Sequence, residues 1–364
     1  MEFSSYKQGD EKHIVDFLEL IFERWPNRDL DCKPIEHWNW KYLDNPLGLH
    51  NISLAWKENE LVGCDHLSYN RVKLGEKTLL SGIWADSAVH PDHRRKGISN
   101  KMAEMTETIL LQHKVNLAYW YTSNPIFIES AKRKVRDIFP HQIMNMIRVK
   151  DIKLHLRETN SKHRFVKEIG YNIISNMNVM KKMLKQNVTK KLELTRIRDI
   201  NYFDEGINAF LHGIEDHFSF VVKRDQDYLN YRYNDSRGGK YSVRILEDDN
   251  EILGYIVSGT RKKNGYETGF IVDLLSKPYR IDVAEKLLNE ALEQFDDKGI
   301  NVVKSWVIQN HPYDQLFRKN GFINVMTSPP FIEFHVYSVG NEWNKFGESR
   351  PENVHFSMGD LDII

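Results

Sequence analysis

The stretch Val89-His90-Pro91-Asp92-His93-Arg94-Arg95-Lys96-Gly97-Ile98-Ser99-Asn100 has the makings of an anion clamp. A glycine in a turn lets backbone N–H groups converge without a side chain in the way. A helix starting just beyond it offers unpaired N–H donors and the positive end of its dipole. Arg94, Arg95 and Lys96 add positive charge, so phosphate or pyrophosphate is the ligand this loop suits. The bare pattern Arg-x-x-Gly-x-Ser is weak; its weight comes from lying after a strand and before an apolar-faced helix. The sequence has no Gly-x-x-x-x-Gly-Lys-Ser/Thr, which sets aside P-loop nucleotide hydrolysis. It has no Gly-x-Gly-x-x-Gly after a strand, which sets aside a dinucleotide fold.

The elements that must hold this loop follow from periodicity. Leu79–Val89 reads as a long strand leading into it, and 99–113 as the helix leaving it, with Met102, Met105, Ile109 and Leu110 on one face. Upstream, Lys12–Phe22 reads as a helix with Ile14, Phe17, Leu18 and Ile21 at helical spacing. Ile52–Lys57 and Leu61–Asn70 read as strands joined by the turn Lys57-Glu58-Asn59-Glu60. Val115–Tyr121 is short and apolar, as a central strand would be.

The same order recurs further along. With an offset of 191, Trp40-Lys41-Tyr42 meets Tyr231-Arg232-Tyr233, Asp44 meets Asp235, Gly48 meets Gly239, and Asn59–Gly63 meets Asn250–Gly254. At 187, Asp86 meets Asp273 and Pro91 meets Pro278; at 186, Trp120 meets Trp306 and Asn124 meets Asn310. The order is kept while the offset drifts by five residues, which predicts two copies of one fold, roughly 1–150 and 193–340. Copy two then reads as strands 242–246, 252–260 and 267–275, helix 281–295, strand 302–307 and helix 312–320. Between the copies, residues 148–192 hold twelve Lys/Arg against three acids. Val166, Ile169, Ile173, Met177, Met180 and Leu184 recur there at helical spacing. We expect an amphipathic helical linker over 151–192 with a solvated basic face; a membrane-surface or nucleic-acid patch is the alternative.

The loop in its setting resembles the GNAT superfamily of acyl-CoA-dependent N-acyltransferases. Val89-His90-Pro91 followed by Arg94-Arg95-Lys96-Gly97-Ile98-Ser99 matches that family's pyrophosphate loop, with Ser99 where Gly or Ala is usual. Ala118-Tyr119-Trp120-Tyr121 then Thr122-Ser123-Asn124-Pro125, and in copy two Asn310 to Gly321-Phe322, look like its next strand and closing helix. The resemblance covers both copies. It implies an α/β (α+β) fold of two GNAT-like domains, each a mixed, mostly antiparallel twisted sheet flanked by helices. Opposite Arg94 to Gly97, copy two has Ile281-Asp282-Val283-Ala284, with no glycine and reversed charge, so no acyl-CoA is expected there. One loaded and one degenerate copy resembles the tandem-GNAT arrangement, with 341–364 as a C-terminal tail.

By that resemblance acetyl-CoA or another acyl-CoA is the co-substrate, with no metal. Ala88, Val89, Arg94, Arg95, Lys96, Gly97, Ile98, Ser99 and Asn124 are the expected cofactor-binding residues, and the thioester carbonyl lies near Ala88 and Val89. Asp86 is a candidate base, although its match to Asp273 in the copy without a loop equally allows a structural role. His90 is a candidate proton relay or a solvated turn residue. The family's tyrosine acid falls near Ala131 in copy one and on Phe317 in copy two, neither of which donates; Tyr121 is the candidate instead, with Tyr119 as an alternative. Trp38, Trp40 and Tyr42 share a face if extended, to stack on a sugar or, as we favour, to fill the core. The tail carboxylates Asp360 and Asp362 either recognise an acceptor or lie on a disordered terminus.

Composition bounds the rest. Lys+Arg and Asp+Glu are 51 each, for a net charge of +0, which excludes a wholesale basic surface for nucleic acid and predicts no DNA partner. There is no run of about 18 apolar residues and so no spanning helix. Met1–Asp10 lacks an apolar signal core, and Cys32 and Cys64 make neither a disulfide framework nor a zinc site, which fits a cytoplasmic protein. The expected activity is acyl transfer to a primary amine of a small molecule, an amino sugar among them. The competitors are an aminoacyl-tRNA-dependent transferase of the Fem type and a non-catalytic tandem-GNAT binding protein. The acyl chain length and the oligomeric state are not readable from the sequence.

Overall fold

The computed structural model of the chain describes residues 1–26, 30–122, 137–158, 195–263, 265–325, 331–336 and 341–361. It is a mixed α/β (α+β) protein of two compact units. The first comprises Met1–Pro140, Asp235–Gly239 and Phe331–Glu348; the second comprises His141–Asn234, Lys240–Pro330 and Ser349–Ile364.

The first unit runs β1 (Glu2–Ser5), α1 (Glu11–Phe22), α2 (Pro34–Tyr42), β2 (Asn51–Lys57), β3 (Glu60–Leu74), β4 (Lys77–Val89), α3 (Ile98–Gln112), β5 (Leu117–Thr122) and β6 (Asp137–Ile138). Its sheet has the order β1-β2-β3-β4-β5, then the strand Phe331–Val336, then β6. Neighbours are antiparallel except for the parallel pair β4–β5. The expected hairpin is present: Glu58 (φ 52°) and Asn59 (φ 70°) are both left-handed, the geometry of a tight two-residue turn. One core packs Ile14, Phe17 and Leu18 of α1 and Trp38 and Tyr42 of α2 against Ile52, Leu54 and Cys64.

Two readings of this unit are corrected. Trp38, Trp40 and Tyr42 lie on a helix, not an extended segment; Pro34 in its first turn and the bond from the Lys33 N–H to the Glu36 carboxylate (2.7 Å) start that helix. All three rings are buried, so the core role holds and a sugar-stacking face does not. On α3 the buried stripe is Ile98, Met102, Thr106 and Leu110, rotated away from Met105 and Ile109. Thr106 is drawn in because its hydroxyl donates to the buried carboxyl of Asp65 (2.7 Å) and meets Ser53 Oγ (3.2 Å). A polar seam of this kind is invisible to apolar periodicity.

The second unit runs β7 (Ile143–Val149), α4 (Ile152–Glu158), β8 (Arg196–Ile200), α5 (Gly206–Glu215), β9 (Phe220–Val222), α6 (Gln226–Leu229), β10 (Tyr241–Asp248), β11 (Glu251–Lys263), β12 (Tyr266–Ser276), α7 (Ile281–Asp297), β13 (Val302–Ile308), α8 (Pro312–Lys319) and β14 (Ile323–Asn324). Its sheet order is β8-β10-β11-β12-β13-β7-β14, with β12–β13 the parallel pair and every other ladder antiparallel. Position by position, this is the neighbour order and direction of the first sheet. The hairpin residues Asp249 (φ 44°) and Asn250 (φ 68°) repeat the left-handed pair 191 residues on. Its core sets Val283, Leu287, Leu288, Ala291 and Phe295 of α7 against β11 and β12, and Phe317 and Phe322 meet edge to face with centroids 4.9 Å apart.

The units do not follow the stretches 1–150, 151–192, 193–340 and 341–364 read from the sequence. β7 follows β6 along the chain yet lies in the second sheet, and Phe331–Val336 follows β14 yet lies in the first. Each sheet thus takes the strand beyond its parallel pair from the other's stretch of chain. The tail is corrected too: Gly359, Asp360 and Leu361 are buried in the second unit, and Arg224 donates to Asp360 (2.5 Å). Residues 159–192 of the expected linker, Asn124, Ala131 and Asp362 lie outside the described residues; α4 covers the start of the linker.

Candidate active site

Parallel pairing of β4 with β5 runs from Ser81↔Leu117 to Trp84↔Trp120. Among the described residues no ladder pair joins the two strands beyond that point, while β4 goes on to Val89 with β3 as its partner. The strands therefore part at Trp84 and Trp120. His66 stands opposite Ala85 and Cys64 opposite Ala88, so Asp86 and Ser87 face the single residue Asp65. This is a β-bulge, and Asp86 takes a left-handed φ of 48° within it. Just past it, the His90 N–H donates to Val62 O (2.9 Å) on β3. Successive backbone groups alternate sides along a strand, so the N–H of Val89 faces the gap left by β5.

Both bulge residues are pinned. The carboxylate of Asp86 accepts from Lys41 Nζ (2.7 Å) and Tyr42 Oη (2.6 Å) of α2, with the lysine and aspartate side chains 8% and 17% exposed. Its carbonyl accepts from His66 Nδ1 (3.1 Å) and Cys64 Sγ (3.6 Å). Trp38 Nε1 donates to His66 Nε2 (3.1 Å); an indole can only donate, so the proton of His66 sits on Nδ1. On the other face, Ser87 Oγ donates to Asp65, which also accepts from Thr106.

Burial acts on each of these groups. It pushes the Asp86 carboxyl up, but the Lys41 ammonium, His66 and the two hydrogen bonds outweigh it and hold the carboxyl below its ordinary range. It drives His66 down to about 4, against the pull of Asp86, and raises Asp65 despite the bonds from Ser87 and Thr106. Asp86 is therefore ion-paired, with Lys41 and Tyr42 both bonded to its Oδ2.

Beyond Val89, Pro91–His93 forms a short 3-10 turn; Arg95 (φ 61°) and Gly97 (φ 77°) are left-handed, and Gly97 caps α3. Among the described residues, a Cβ on Gly97 would meet nothing within 4 Å. Ile98, Ser99 and Asn100 begin a helix and have no intrahelical acceptor for their N–H groups. Arg94 Nε donates to Val89 O (3.1 Å) and Lys96 Nζ to Asp92 O (2.8 Å), which folds both cations onto the loop backbone. The Asp92 N–H donates to His90 Nδ1 (3.3 Å), so the proton of the neutral ring sits on Nε2. Ala88 is buried and Val89 half-buried. Tyr121 is half-buried near the end of β5, where the strands have parted; Tyr119 is fully buried and its hydroxyl accepts from Asn70 Nδ2 (2.7 Å).

The second unit is built differently at the same place. Asp282 lies in the first turn of α7, bonded by Arg280 Nε (2.9 Å). Asp273 is buried and accepts from Tyr233 (3.0 Å), Tyr255 (2.9 Å), His355 (3.0 Å) and Arg224 (3.3 Å). Burial opposes that charge, but Arg224 and the hydrogen bonds hold the carboxyl well below its ordinary range. The Tyr233–Asp273 bond joins the residues that match Tyr42 and Asp86.

Lys41, Asp65 and His66 escaped the sequence reading. Lys41 left a signal, since a basic residue recurs between two aromatics at Arg232; Asp65 and His66 left none.

Residues 2–131 match the family model described as acetyltransferase (GNAT) domain. No curated protein matches the chain. Among solved structures it is similar to a probable N-acyltransferase from Enterococcus faecalis V583, at 14% identity and a TM-score of 0.62 over 92% of this chain and 72% of that one. It is similar to a GCN5-related N-acetyltransferase from Anabaena variabilis (10% identity, TM-score 0.58, 92% and 73%). It is also similar to Saccharomyces cerevisiae N-myristoyltransferase with bound myristoyl-CoA (11% identity, TM-score 0.56, 92% and 82%). At these identities the likeness speaks for the fold. The chain thus carries a GNAT domain in its leading 131 residues, and that domain supports acyl transfer in general.

Proposed function

We propose that the chain is an acyl-CoA-dependent N-acyltransferase acting on the primary amine of a small molecule, amino sugars included. The observation that carries this is the clamp: Gly97 left-handed, with no described residue within 4 Å of a Cβ placed on it, three N–H groups without intrahelical acceptors behind it and three cations beside it. In this reading Arg94, Arg95, Lys96 and the N–H groups of Ile98 and Ser99 take the pyrophosphate of acetyl-CoA or another acyl-CoA. The pantetheine arm, with Asn124 as a contact, enters where β4 and β5 part.

The thioester carbonyl then lies against Val89 N–H, beside Ala88. A hydrogen bond there strengthens as the amine attacks and negative charge gathers on the oxygen. Collapse of the tetrahedral species breaks the C–S bond; the departing thiolate takes a proton from Tyr121, and the proton shed by the amine nitrogen passes to solvent, with His90 as the relay. Because Asp86 is held by Lys41 and Tyr42, the amine arrives neutral from solution without its help.

The second unit serves as a degenerate copy. The matched strand order, hairpin dihedrals and Tyr–Asp bond support this, and Asp282 opposes an anion at its α7 terminus.

Titration calorimetry tests the reading. Acetyl-CoA is expected to bind one site per chain, and Arg94→Ala/Gly97→Asp to weaken binding by about tenfold or more. Free-thiol release over an amine panel then reports turnover. No heat from the unaltered chain would count against the whole assignment; binding without thiol release would favour a non-catalytic binding protein.

A further inference from the structure

We infer that Asp86, Lys41 and Tyr42, with Ser87 and Asp65 on the opposite face, are positioning residues: they fix the β4 bulge so that Val89 N–H meets the thioester carbonyl. This rests on the acyl-CoA reading above and assigns work to groups that do not touch the substrate.

Four observations carry it. Asp86 is a non-glycine residue with φ 48° inside a strand, a strained conformation that persists only where its surroundings impose it. Its side chain and its carbonyl each have two donors, drawn from α2 and from β3. Ser87, the other bulge residue, is tied through Asp65 to Thr106 of α3, the helix whose N-terminus forms the clamp. Lastly, the bulge lies between the last β4–β5 ladder pair, Trp84↔Trp120, and Val89. One residue more or fewer in the bulge would reverse which edge Val89 N–H faces.

The second unit supplies the contrast. Asp273 keeps the tyrosine bond but is not left-handed, and the register shift falls between Val257 and Ser258 instead. An aspartate anchor is thus common to both units, whereas the left-handed bulge belongs to the unit with the clamp.

The test uses the full chain and [1-13C]acetyl-CoA, read by difference infrared spectroscopy of the thioester carbonyl alongside calorimetry. In the unaltered protein the carbonyl stretch is expected to move to lower frequency on binding. In Asp86→Ala that displacement is lost, while the dissociation constant for acetyl-CoA stays within about threefold, because the clamp is untouched. Asp86→Asn, which still accepts from Tyr42, retains most of the displacement and still releases thiol with the amine panel. If Asp86→Ala does not fold by circular dichroism, Lys41→Met and Tyr42→Phe, each removing one bond, give the same reading in reduced measure.

An unchanged carbonyl displacement in folded Asp86→Ala, or in both single-bond variants, overturns the inference. So does loss of thiol release in Asp86→Asn with the displacement intact, since Asp86 would then be the base. Absence of acetyl-CoA binding to the unaltered chain is a different result and defeats the acyl-CoA reading itself.

Discussion

His66 shows how one buried ring couples the site to pH. It is fully enclosed, its Nε2 must accept from Trp38, and its proton must sit on Nδ1 to reach the Asp86 carbonyl. A protonated ring would face the Trp38 N–H with a second donor. Burial accordingly drives the group down to about 4, from an ordinary value near 6.5. Between those values the unfolded chain binds more protons than the folded one. The contribution is therefore complete above about pH 6.5 and lost as pH falls toward 4. His311, driven down to about 3 by burial in the second unit, acts in the same direction. We expect the urea midpoint to fall between pH 7 and pH 5, and the fall to shrink in His66→Gln and further in His66→Gln/His311→Gln. A midpoint flat across that interval would contradict the assignment.

At the level of elements, α3 reaches its place because β3 has no side chain at Gly63. A Cβ there would lie 3.1 Å from Met102 Cε and 3.2 Å from Ile98 Cγ2. Met102 is flexible and can yield; Ile98, β-branched and in the first turn of the helix, cannot move without its backbone. Gly63 also pairs directly with Val89. Gly63→Val is thus expected to lift the N-terminal end of α3, cost about 1–3 kcal/mol in stability, and weaken acetyl-CoA binding together with it. Thermal unfolding and calorimetry on the same variant check both halves. Unchanged acetyl-CoA affinity in a destabilised variant would show that the clamp does not depend on where α3 docks.

For the whole molecule, the shared strands mean that neither sheet is completed by a continuous stretch of chain. Residues 1–140 contain the GNAT match and the clamp but lack Phe331–Val336, the partner of β5 from Leu117 to Thr122. Unpaired strand edges associate. We expect residues 1–140 alone to be poorly soluble, with fast amide exchange over Leu117–Tyr121. Adding residues 331–348 through a flexible linker should restore protection there. Native-like protection in the fragment by itself would refute this dependence.

Much of the fold was legible because it is written in local chemistry. The Glu58-Asn59 turn, the strand–loop–helix around Gly97 and the recurrence 191 residues on all depend on neighbours along the chain. The identity of the α2 segment was legible in part: aromatics at every second position suit a strand face, but Pro34 and Glu36 were the helix signal. Thr106 and His66 were not legible, since a polar residue is drawn into a core by a partner that sequence spacing does not reveal. The same holds for Asp86, which as a residue type in a cleft reads equally as a base or an anchor. The sequence by itself determined the hairpin turns, the strand–loop–helix around Gly97 and the recurrence that the two similar sheets share. Only the tertiary structure decided that Lys41 neutralises Asp86 and that each sheet borrows a strand, because hydrogen-bond and charge partners 45 or more than 200 residues apart are chosen by packing in space, which no local periodicity encodes.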